Sequence, residues 1–240
     1  MSCQSSIILL TRVPVPGLVK TRLLRSRGGG LSPAQAAALQ EAMALDVADR
    51  LARLGARLVV RYSDEDRVAA ARGVPGADRA RERFLSRLPA GAAAAPQRGA
   101  GLGERMGNAI DDELAGGVES CVLLGSDLPL ADVGLVGASL GLLADSGADV
   151  VLCPSEDGGY WLVGARRPIP EVFSGKAYGA ANVMEEALRS CERAGYSVVV
   201  GPRSRDVDDA DDLDWLVDLV RADDPRVGLR TAALVRRELL

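Results

Sequence analysis

The sequence predicts an α/β fold, in which a mostly parallel central sheet carries helices on both faces. Short apolar runs alternate with longer segments of helical periodicity along the chain. Some of these runs, such as residues 119–125, are almost entirely apolar, as expected for strands that are covered on both faces. No internal repeat or change in composition divides the 240 residues. We therefore expect one domain over residues 1–240.

The first half of the chain predicts two strands and several helices. An apolar run at residues 6–10 predicts the first strand, and a loop rich in Pro and Gly follows it. Ser32 as N-cap and Pro33 at the first helical position predict a helix that runs to about Leu54 and stops at Gly55. The pattern then predicts a strand at 57–62, short helices at 64–71 and 79–88, and a small-residue linker at 89–96.

The second half continues the alternation of strands and helices. Helices are predicted from about Gly103 onward and at 132–145, 177–193, 210–221 and 226–240. Strands are predicted at 119–125, 149–154, 160–164 and 196–200. Because ligands of such sheets bind at the carboxyl ends of the strands, the loops that follow the strands are where functional residues are expected.

The composition narrows the possible chemistry. The chain has no histidine, which excludes Ser-His-Asp and Cys-His mechanisms, imidazole bases and zinc sites with His ligands. Catalysis must therefore use carboxylates, Lys, Arg, hydroxyls, backbone groups or a hard metal ion. The formal charge of −4 and the pI of about 5.1 give no basic face, so no nucleic-acid partner is expected.

The cysteines and the apolar runs bear on localisation. The four cysteines form no C-x-x-C motif and are expected to be reduced, mostly buried thiols. The first apolar run is too short for a signal peptide, and no later run approaches 18 apolar residues. We therefore expect a cytoplasmic protein with no membrane partner. The cysteines are Cys3, Cys121, Cys153 and Cys191.

The loop after the first strand is the first candidate site. It brings cations and free backbone N–H groups to the binding edge of the sheet, which is what the phosphates of a nucleotide need. Alternatively, the prolines and the glycine only turn the chain, and Arg12 is a solvated edge residue. The loop lacks the spacing of a P-loop or of a dinucleotide-binding fingerprint. Its candidate residues are Arg12, Pro16, Gly17, Lys20 and Arg22.

Acidic residues form the second candidate site. Asp127 directly follows a buried strand, although an Asp before Leu-Pro can equally close an Asx turn. In an extended segment Asp206 and Asp208 point to the same face, so both carboxylates can converge on a cation. We retain Asp208 for function, with Asp206 second. The nearby Asp209, Asp211 and Asp212 are assigned to the start of the next helix.

A third candidate is the stretch Glu156-Asp157-Gly158-Gly159-Tyr160. Two glycines after paired acidic residues permit positive φ angles and a close approach to a ligand. A plain β-turn requires the same residues. We favour a functional role for Asp157.

Five motifs in the same order resemble a known family. They are V-P-x-P-G-x-V-K-T-R-L (13–23), L-G-E-R-M (102–106), G-S-D-L-P (125–129), P-S-E-D-G-G-Y-W-L-V-G (154–164) and D-V-D-D-A-D-D-L (206–213). Together they resemble the uncharacterised bacterial GT-A-type transferases, described as glycosyltransferase-like or nucleotide-diphospho-sugar transferase-like. These are distant relatives of the 2-phospho-lactate and molybdenum-cofactor guanylyltransferases. The resemblance covers almost the whole chain.

The resemblance implies a Rossmann-like GT-A domain and a set of roles. The first loop would hold the nucleotide's phosphates, and Asp127, with Asp208 as second ligand, would bind Mg²⁺ or Mn²⁺. Gln97 and its glycine-rich neighbours, including Gly103, would lie near the base. The acceptor would lie at the turn of Asp157, Gly158 and Gly159. The chain departs from the family at Gly101, where an Asp is usual, and at Tyr178-Gly179, where Trp and Ser or Thr are usual.

These roles predict a metal-dependent transferase. It would move a nucleotidyl or glycosyl group from a nucleoside triphosphate or nucleotide-sugar to a small acceptor. For nucleotidyl transfer, Lys20 and Arg22 would neutralise charge on the phosphates. For glycosyl transfer, Asp157 or Glu156 would orient the acceptor hydroxyl. The alternative is a non-catalytic nucleotide-binding or scaffold protein on the same fold. The sequence leaves the base, the acceptor and the oligomeric state open.

Overall fold

A computed structural model describes residues 5–28, 30–63, 76–145 and 147–240. These ranges contain a seven-stranded sheet with the order β3-β2-β1-β4-β6-β5-β7. The helix predicted at 64–71 lies outside them. The strands are β1 (Ser5–Thr11), β2 (Arg57–Tyr62), β3 (Ala93–Pro96), β4 (Ser120–Gly125), β5 (Val150–Pro154), β6 (Tyr160–Ala165) and β7 (Val198–Val200).

The sheet is mostly parallel, as predicted. Leu9 at the centre of β1 lies opposite Val60 of β2 on one side and Leu124 of β4 on the other, both in parallel register. Only β6 runs antiparallel within the described sheet, between β4 and β5. Because β1 and β4 are parallel neighbours at the centre of the sheet, their carboxyl ends lie side by side.

Helices cover both faces of the sheet, which confirms the predicted layers. One face packs α1, α2 and α4 around Leu45 and Phe84, and the other packs α3, α5 and α6 around Ile110 and Val172. The helices are α1 (Pro33–Leu51), α2 (Ala77–Leu85), α3 (Leu102–Ala115), α4 (Val133–Asp145), the single turn α5 (Pro170–Phe173), α6 (Val183–Ala194), α7 (Ala210–Arg221) and α8 (Leu229–Glu238).

Helix α1 begins and ends as its sequence predicts. Ser32 and Gln35 form a reciprocal capping box in front of Pro33, which satisfies two backbone N–H groups at the start of the helix. A short 3₁₀ turn follows Leu51 and ends at Gly55, which has a φ of 74°. The backbone of Gly55 thus adopts the left-handed conformation that glycine tolerates best.

Two predictions were wrong. The linker predicted at 89–96 contains the edge strand β3, because backbone pairing with β2 requires no strand-forming side chains and Pro96 is tolerated at a sheet edge. The helix predicted at 177–193 begins only at Val183, and turns precede it, with Gly179 at a φ of 98°. The buried thiols of Cys121, Cys153 and Cys191 are free, as predicted, and Cys3 lies outside the described residues.

None of the helices in the described ranges combines the length and the apolar character needed to cross a lipid bilayer.

Candidate functional site

A cavity of about 560 Å³ opens at the carboxyl ends of β1 and β4. It collects side chains from both ends of the chain and from its middle. Of the sequence-predicted residues it brings together Arg12, Lys20, Arg22, Gln97, Asp127 and Asp208. Thr11, Gln40, Leu102, Arg105 and Ser126 are among its other lining residues.

Lys20 is the centre of this site. Its Nζ lies 2.6 Å from Oδ2 of Asp127 and 2.9 Å from Oδ1 of Asp208, and it donates to the carbonyl oxygen of Val207 at 2.5 Å. The side chain is only 3% exposed. Lys20 has a left-handed backbone (φ 47°), which is unusual for a residue other than glycine. The loop thus aims a buried ammonium at the acidic residues.

Asp127 is held from its other side by a chain of hydroxyl and amide groups. Ser126 Oγ donates to Oδ1 of Asp127 at 3.2 Å. Gln40 Nε2 of α1 in turn donates to Ser126 Oγ at 2.9 Å, and Thr11 Oγ1 lies 2.8 Å from the same hydroxyl. Asp127 therefore takes part in this network and not in a local turn of its own loop.

The paired charges perturb each other. Burial raises the pKa of Asp127, but the Lys20 ammonium and the hydrogen bonds to the carboxylate outweigh burial and hold this pKa below its ordinary value. Burial lowers the pKa of Lys20, and the two carboxylates more than offset it, so this pKa is raised. Each partner keeps the other charged.

The acidic segment before α7 divides as predicted. Asp209 and Asp212 form a capping box at the start of the helix. Asp208 lines the cavity, whereas Asp206 is not among its lining residues. The backbone N–H of Val207 donates to the carbonyl oxygen of Asp127 at 3.0 Å, which fixes this segment against the loop after β4. Two carboxylates and one carbonyl thus surround the ammonium.

Arg12 and Arg22 differ from Lys20. Both side chains are exposed and line the cavity, and neither guanidinium has a hydrogen bond or ion pair with the described residues. Gln97 lies at the other side, where its Nε2 donates to the carbonyl oxygens of Thr11 (2.8 Å) and Arg61 (2.9 Å). Both N–H groups of this amide are used, and its carbonyl oxygen is the group available to a ligand.

Three predicted nucleotide-site residues do not line the cavity. Pro16 and Gly17 occupy the middle of a turn closed by a hydrogen bond from Leu18 N to Val15 O, with a φ of 82° at Gly17. Gly103 faces away, where a Cβ would lie 2.7 Å from the carbonyl oxygen of Phe173. These residues shape the chain around the site.

The turn of Asp157, Gly158 and Gly159 also lies outside the cavity lining. Asp157 Oδ1 accepts a hydrogen bond from Gly159 N at 2.9 Å and another from the hydroxyl of Ser155. Gly158 has a φ of 89°, and a Cβ there would lie 2.0 Å from the carbonyl oxygen of Ala181. The glycine is therefore required by packing of the β5–β6 connection against the segment before α6.

Sequence reasoning missed Gln40, Thr11 and Ser126. Gln40 is 2% exposed on the face of α1 that also buries Ala36, Met43 and Val47. A polar side chain in an apolar helical stripe was the available signal, since buried amides require partners.

The oxygen atoms around Lys20 are of the type that hard divalent cations bind. A cation already lies between them, namely the ammonium, so the donor set fits Mg²⁺ or Mn²⁺ once this ammonium moves away. Among the described residues no group of three or more His, Cys, Asp or Glu side chains is arranged to hold a metal ion. The remaining ligands of such an ion would come from water and from the bound substrate.

Comparison with known proteins places the chain among bacterial relatives. The profile of a family described as "uncharacterized protein conserved in bacteria" (DUF2064) matches residues 47–180. A crystal structure from Desulfovibrio desulfuricans G20, assigned as a nucleotide-diphospho-sugar transferase, is 32% identical with a TM-score of 0.82. The match covers 98% of this chain and 95% of that one. The resemblance inferred from the five motifs is confirmed.

More distant structures share the fold. A CMP:2-keto-3-deoxy-manno-octonic acid synthetase in complex with CTP is 14% identical with a TM-score of 0.54, covering 92% of this chain and 99% of that one. The 4-diphosphocytidyl-2C-methyl-D-erythritol synthase of Anaerococcus prevotii DSM 20548 is 9% identical with a TM-score of 0.53, covering 88% and 95%. A search of curated proteins finds no match.

Proposed function

Because the chain belongs to the DUF2064 family and matches a transferase structure over nearly its whole length, we propose that it is a metal-dependent transferase. It takes a nucleoside triphosphate or a nucleotide-diphospho-sugar and moves a nucleotidyl or glycosyl group to a small acceptor. The observation that carries this proposal is the cavity in which the guanidinium groups of Arg12 and Arg22, unpaired among the described residues, accompany the Asp127 and Asp208 carboxylates.

Arg12 and Arg22 bind the phosphates of the donor. A guanidinium binds phosphate oxygens in a bidentate manner, and each charge-assisted hydrogen bond contributes roughly 1.5–3 kcal/mol. As the bond to the leaving phosphate breaks, negative charge grows on its oxygens, and the nearby cations stabilise it. Lys20 joins them as the third cation of the loop.

Asp127 and Asp208 would hold Mg²⁺ or Mn²⁺, with the carbonyl oxygen of Val207 beside them. Once bound, the ion supplies positive charge next to the phosphates of the donor. Ser126 Oγ donates to the Asp127 carboxylate at 3.2 Å, and Gln40 Nε2 holds that hydroxyl in turn by donating to it at 2.9 Å. Such outer partners fix the orientation of a ligand.

Gln97 and Asp157 mark the two ends of the proposed site. The carbonyl oxygen of Gln97, which has no partner among the described residues, accepts a hydrogen bond from the base. We place the acceptor beside Asp157, Gly158 and Gly159; the negative charge of Asp157 also contributes to the raised pKa of the Asp206 carboxyl. Asp157 orients the acceptor hydroxyl there.

A thermal-shift screen tests the proposal. GTP, CTP, ATP, UTP, UDP-glucose and GDP-mannose are each added with Mg²⁺, with Mn²⁺ and with EDTA. At a ligand concentration 100-fold above Kd the folded state gains about 2.7 kcal/mol, which raises Tm by roughly 5–10 °C for a domain of this size. A shift that requires the metal supports the proposal. A triphosphate alone indicates nucleotidyl transfer, and a shift from nucleotide-sugars only indicates glycosyl transfer.

Arg22→Ala supplies the variant for this screen. We expect it to lose most of the ligand-dependent shift while its Tm without ligand stays close to that of the wild type. The matched control is Arg53→Ala, an exposed arginine beyond the far end of α1, which should keep the full shift. No shift with any donor would refute the proposal, and binding that survives Asp127→Asn without any turnover would favour the scaffold alternative.

A further inference from the structure

The ammonium of Lys20 has no hydrogen left for a phosphate. Its three N–H groups are matched by three oxygen acceptors, in Asp127, Val207 and Asp208, at 2.5–2.9 Å. With a side chain that is 3% exposed, Lys20 is enclosed by these partners. Any contact between Lys20 and a phosphate therefore requires that at least one of these bonds breaks.

Two other cationic side chains of the cavity differ from Lys20 in their exposure and in their partners. The guanidinium groups of Arg12 and Arg22 are exposed and have no partner among the described residues. They can bind a phosphate without breaking a hydrogen bond or an ion pair to any described residue. The loop thus presents two guanidinium groups that are unpaired within the described part of the chain and one ammonium that the proposed metal ligands already bind.

The ammonium and a divalent ion require the same oxygen atoms. Mg²⁺ binds oxygen at about 2.0–2.1 Å and cannot share a pair of carboxylates with an ammonium that lies 2.6 and 2.9 Å from them. The protein offers two carboxylates at this position, and Mg²⁺ typically completes such a site with water and substrate phosphates. A free metal ion would have to displace the ammonium without any phosphate to receive it.

We propose that Lys20 is the resident counter-ion of the Asp127–Asp208 pair and that it is exchanged for the divalent metal only when the phosphates of the donor bind. The metal ion and the nucleotide then enter as one unit, because the phosphates accept the ammonium as the metal takes over the carboxylates. The inference rests on the proposed function and adds the order of binding. Lys20 acts here by changing partners, while its backbone stays in the loop.

The chain offers a direct way to observe this exchange, since Lys20 and Lys176 are its only lysines. Selective ¹³C,¹⁵N labelling of lysine gives two Cε–Nζ signals, and Lys176, whose Nζ donates to Ser190 Oγ at 2.8 Å, serves as the internal reference. The probes are MgCl₂ alone and an equimolar mixture of the four ribonucleoside triphosphates, UDP-glucose and GDP-mannose, with and without MgCl₂.

We expect MgCl₂ alone to leave the Lys20 signal unchanged and the nucleotide mixture with MgCl₂ to shift it. A saturable shift of the Lys20 signal with MgCl₂ alone would overturn the inference. So would an unchanged Lys20 signal under conditions in which the thermal shift shows that a nucleotide has bound. If no nucleotide binds at all, the proposed function fails first, and the thermal shift identifies that outcome separately.

A second measurement uses the isosteric variant Lys20→Met. Removal of the ammonium leaves the two carboxylates without their counter-ion, so we expect Mn²⁺ alone, followed by EPR, to bind at least tenfold more tightly than to the wild type. Lys176→Met is the matched control and should bind Mn²⁺ as the wild type does. Equal or weaker Mn²⁺ binding by folded Lys20→Met would overturn the inference. If that variant does not fold, the wild-type NMR measurement still decides.

Discussion

Asp206 illustrates how the crowding of acidic groups perturbs a single residue. Its carboxyl is partly buried, and burial, followed by the charge of Asp208, raises its pKa to about 6. The charge of Asp157 acts in the same direction. Lys20 opposes the shift but is already engaged by Asp127 and Asp208. Asp206 therefore carries a negative charge at neutral pH at a cost to the folded state.

This cost predicts a pH-dependent effect of Asp206→Asn. The pKa of Asp206 in the folded state is about 6, which lies above its ordinary value of 3.8. The contribution of this side chain to the free energy of unfolding is therefore fully present below pH 3.8 and is lost as the pH rises through 6. Asparagine carries no charge, so the variant should be about 1–2 kcal/mol more stable than the wild type at pH 8, after allowance for solvent screening, and equally stable at pH 4.

Urea unfolding at the two pH values measures this difference. Asp214→Asn, which replaces an exposed aspartate of α7, is the control and should change stability little at either pH. An Asp206→Asn variant that is destabilised to the same extent at pH 4 and pH 8 would contradict the assignment.

At the scale of elements, the start of α8 depends on a residue of α1. The carboxylate of Asp46 accepts hydrogen bonds from the backbone N–H groups of Arg230 (3.1 Å) and Thr231 (2.8 Å) and from the Thr231 hydroxyl (2.8 Å). A Cβ on Gly228 would lie 2.1 Å from this carboxylate. Asp46 thus caps a helix whose capped N–H groups lie 184 and 185 residues further along the chain, and Gly228 makes room for it.

We expect Asp46→Ala to destabilise the protein by about 2–4 kcal/mol. The substitution leaves buried backbone N–H groups of α8 without an acceptor, in addition to the loss of the cap itself. Thermal or urea unfolding measures the effect. Asp49→Ala, which removes a partly exposed partner of Arg230, is the control and should cost less than 1 kcal/mol. Equal effects of both substitutions would show that the carboxylate of Asp46 is not a cap.

Elements that are encoded by residues adjacent in sequence could be predicted. Elements that form by pairing with residues far away in sequence could not. The start of α1 is encoded in Ser32, Pro33 and Gln35, which are neighbours in sequence. The strand β3 has only alanine and proline side chains, and its conformation comes from pairing with β2. The site follows the same rule: its residue types and loops were predictable, but not the capture of Lys20 by Asp127 and Asp208, more than 100 residues away.

At the scale of the whole molecule, helix α1 packs both against the sheet and against the segments at the end of the chain. A third hydrophobic cluster consists of residues before 47 and after 180, outside the segment that the family profile matches, and it includes Leu39 and Met43 of α1 and Leu216 of α7. The next turns of α1 belong to the cluster on the sheet, through Leu45 and Ala48. One helix thus connects both clusters.

The candidate site also combines residues from inside and outside the segment that the family profile matches. Lys20 and Asp208 lie outside that segment, and Asp127 lies within it.

This arrangement predicts that residues 1–240 unfold as one cooperative unit. Trp161 is buried in the cluster on the sheet, and Trp215 packs against the cluster formed by the chain ends. Trp215→Phe leaves Trp161 as the only tryptophan, and Trp161→Phe leaves Trp215. In each variant, urea unfolding followed by fluorescence and by far-UV CD should give the same midpoint, because α1 contributes buried residues to both clusters and neither can unfold without exposing part of it. The two variants will differ from each other in stability, since Trp161 Nε1 donates to Pro202 O at 3.0 Å, so the comparison is made within each variant. If the fluorescence of Trp215 changes at a lower urea concentration than the CD signal does, the chain ends unfold separately and form a second domain.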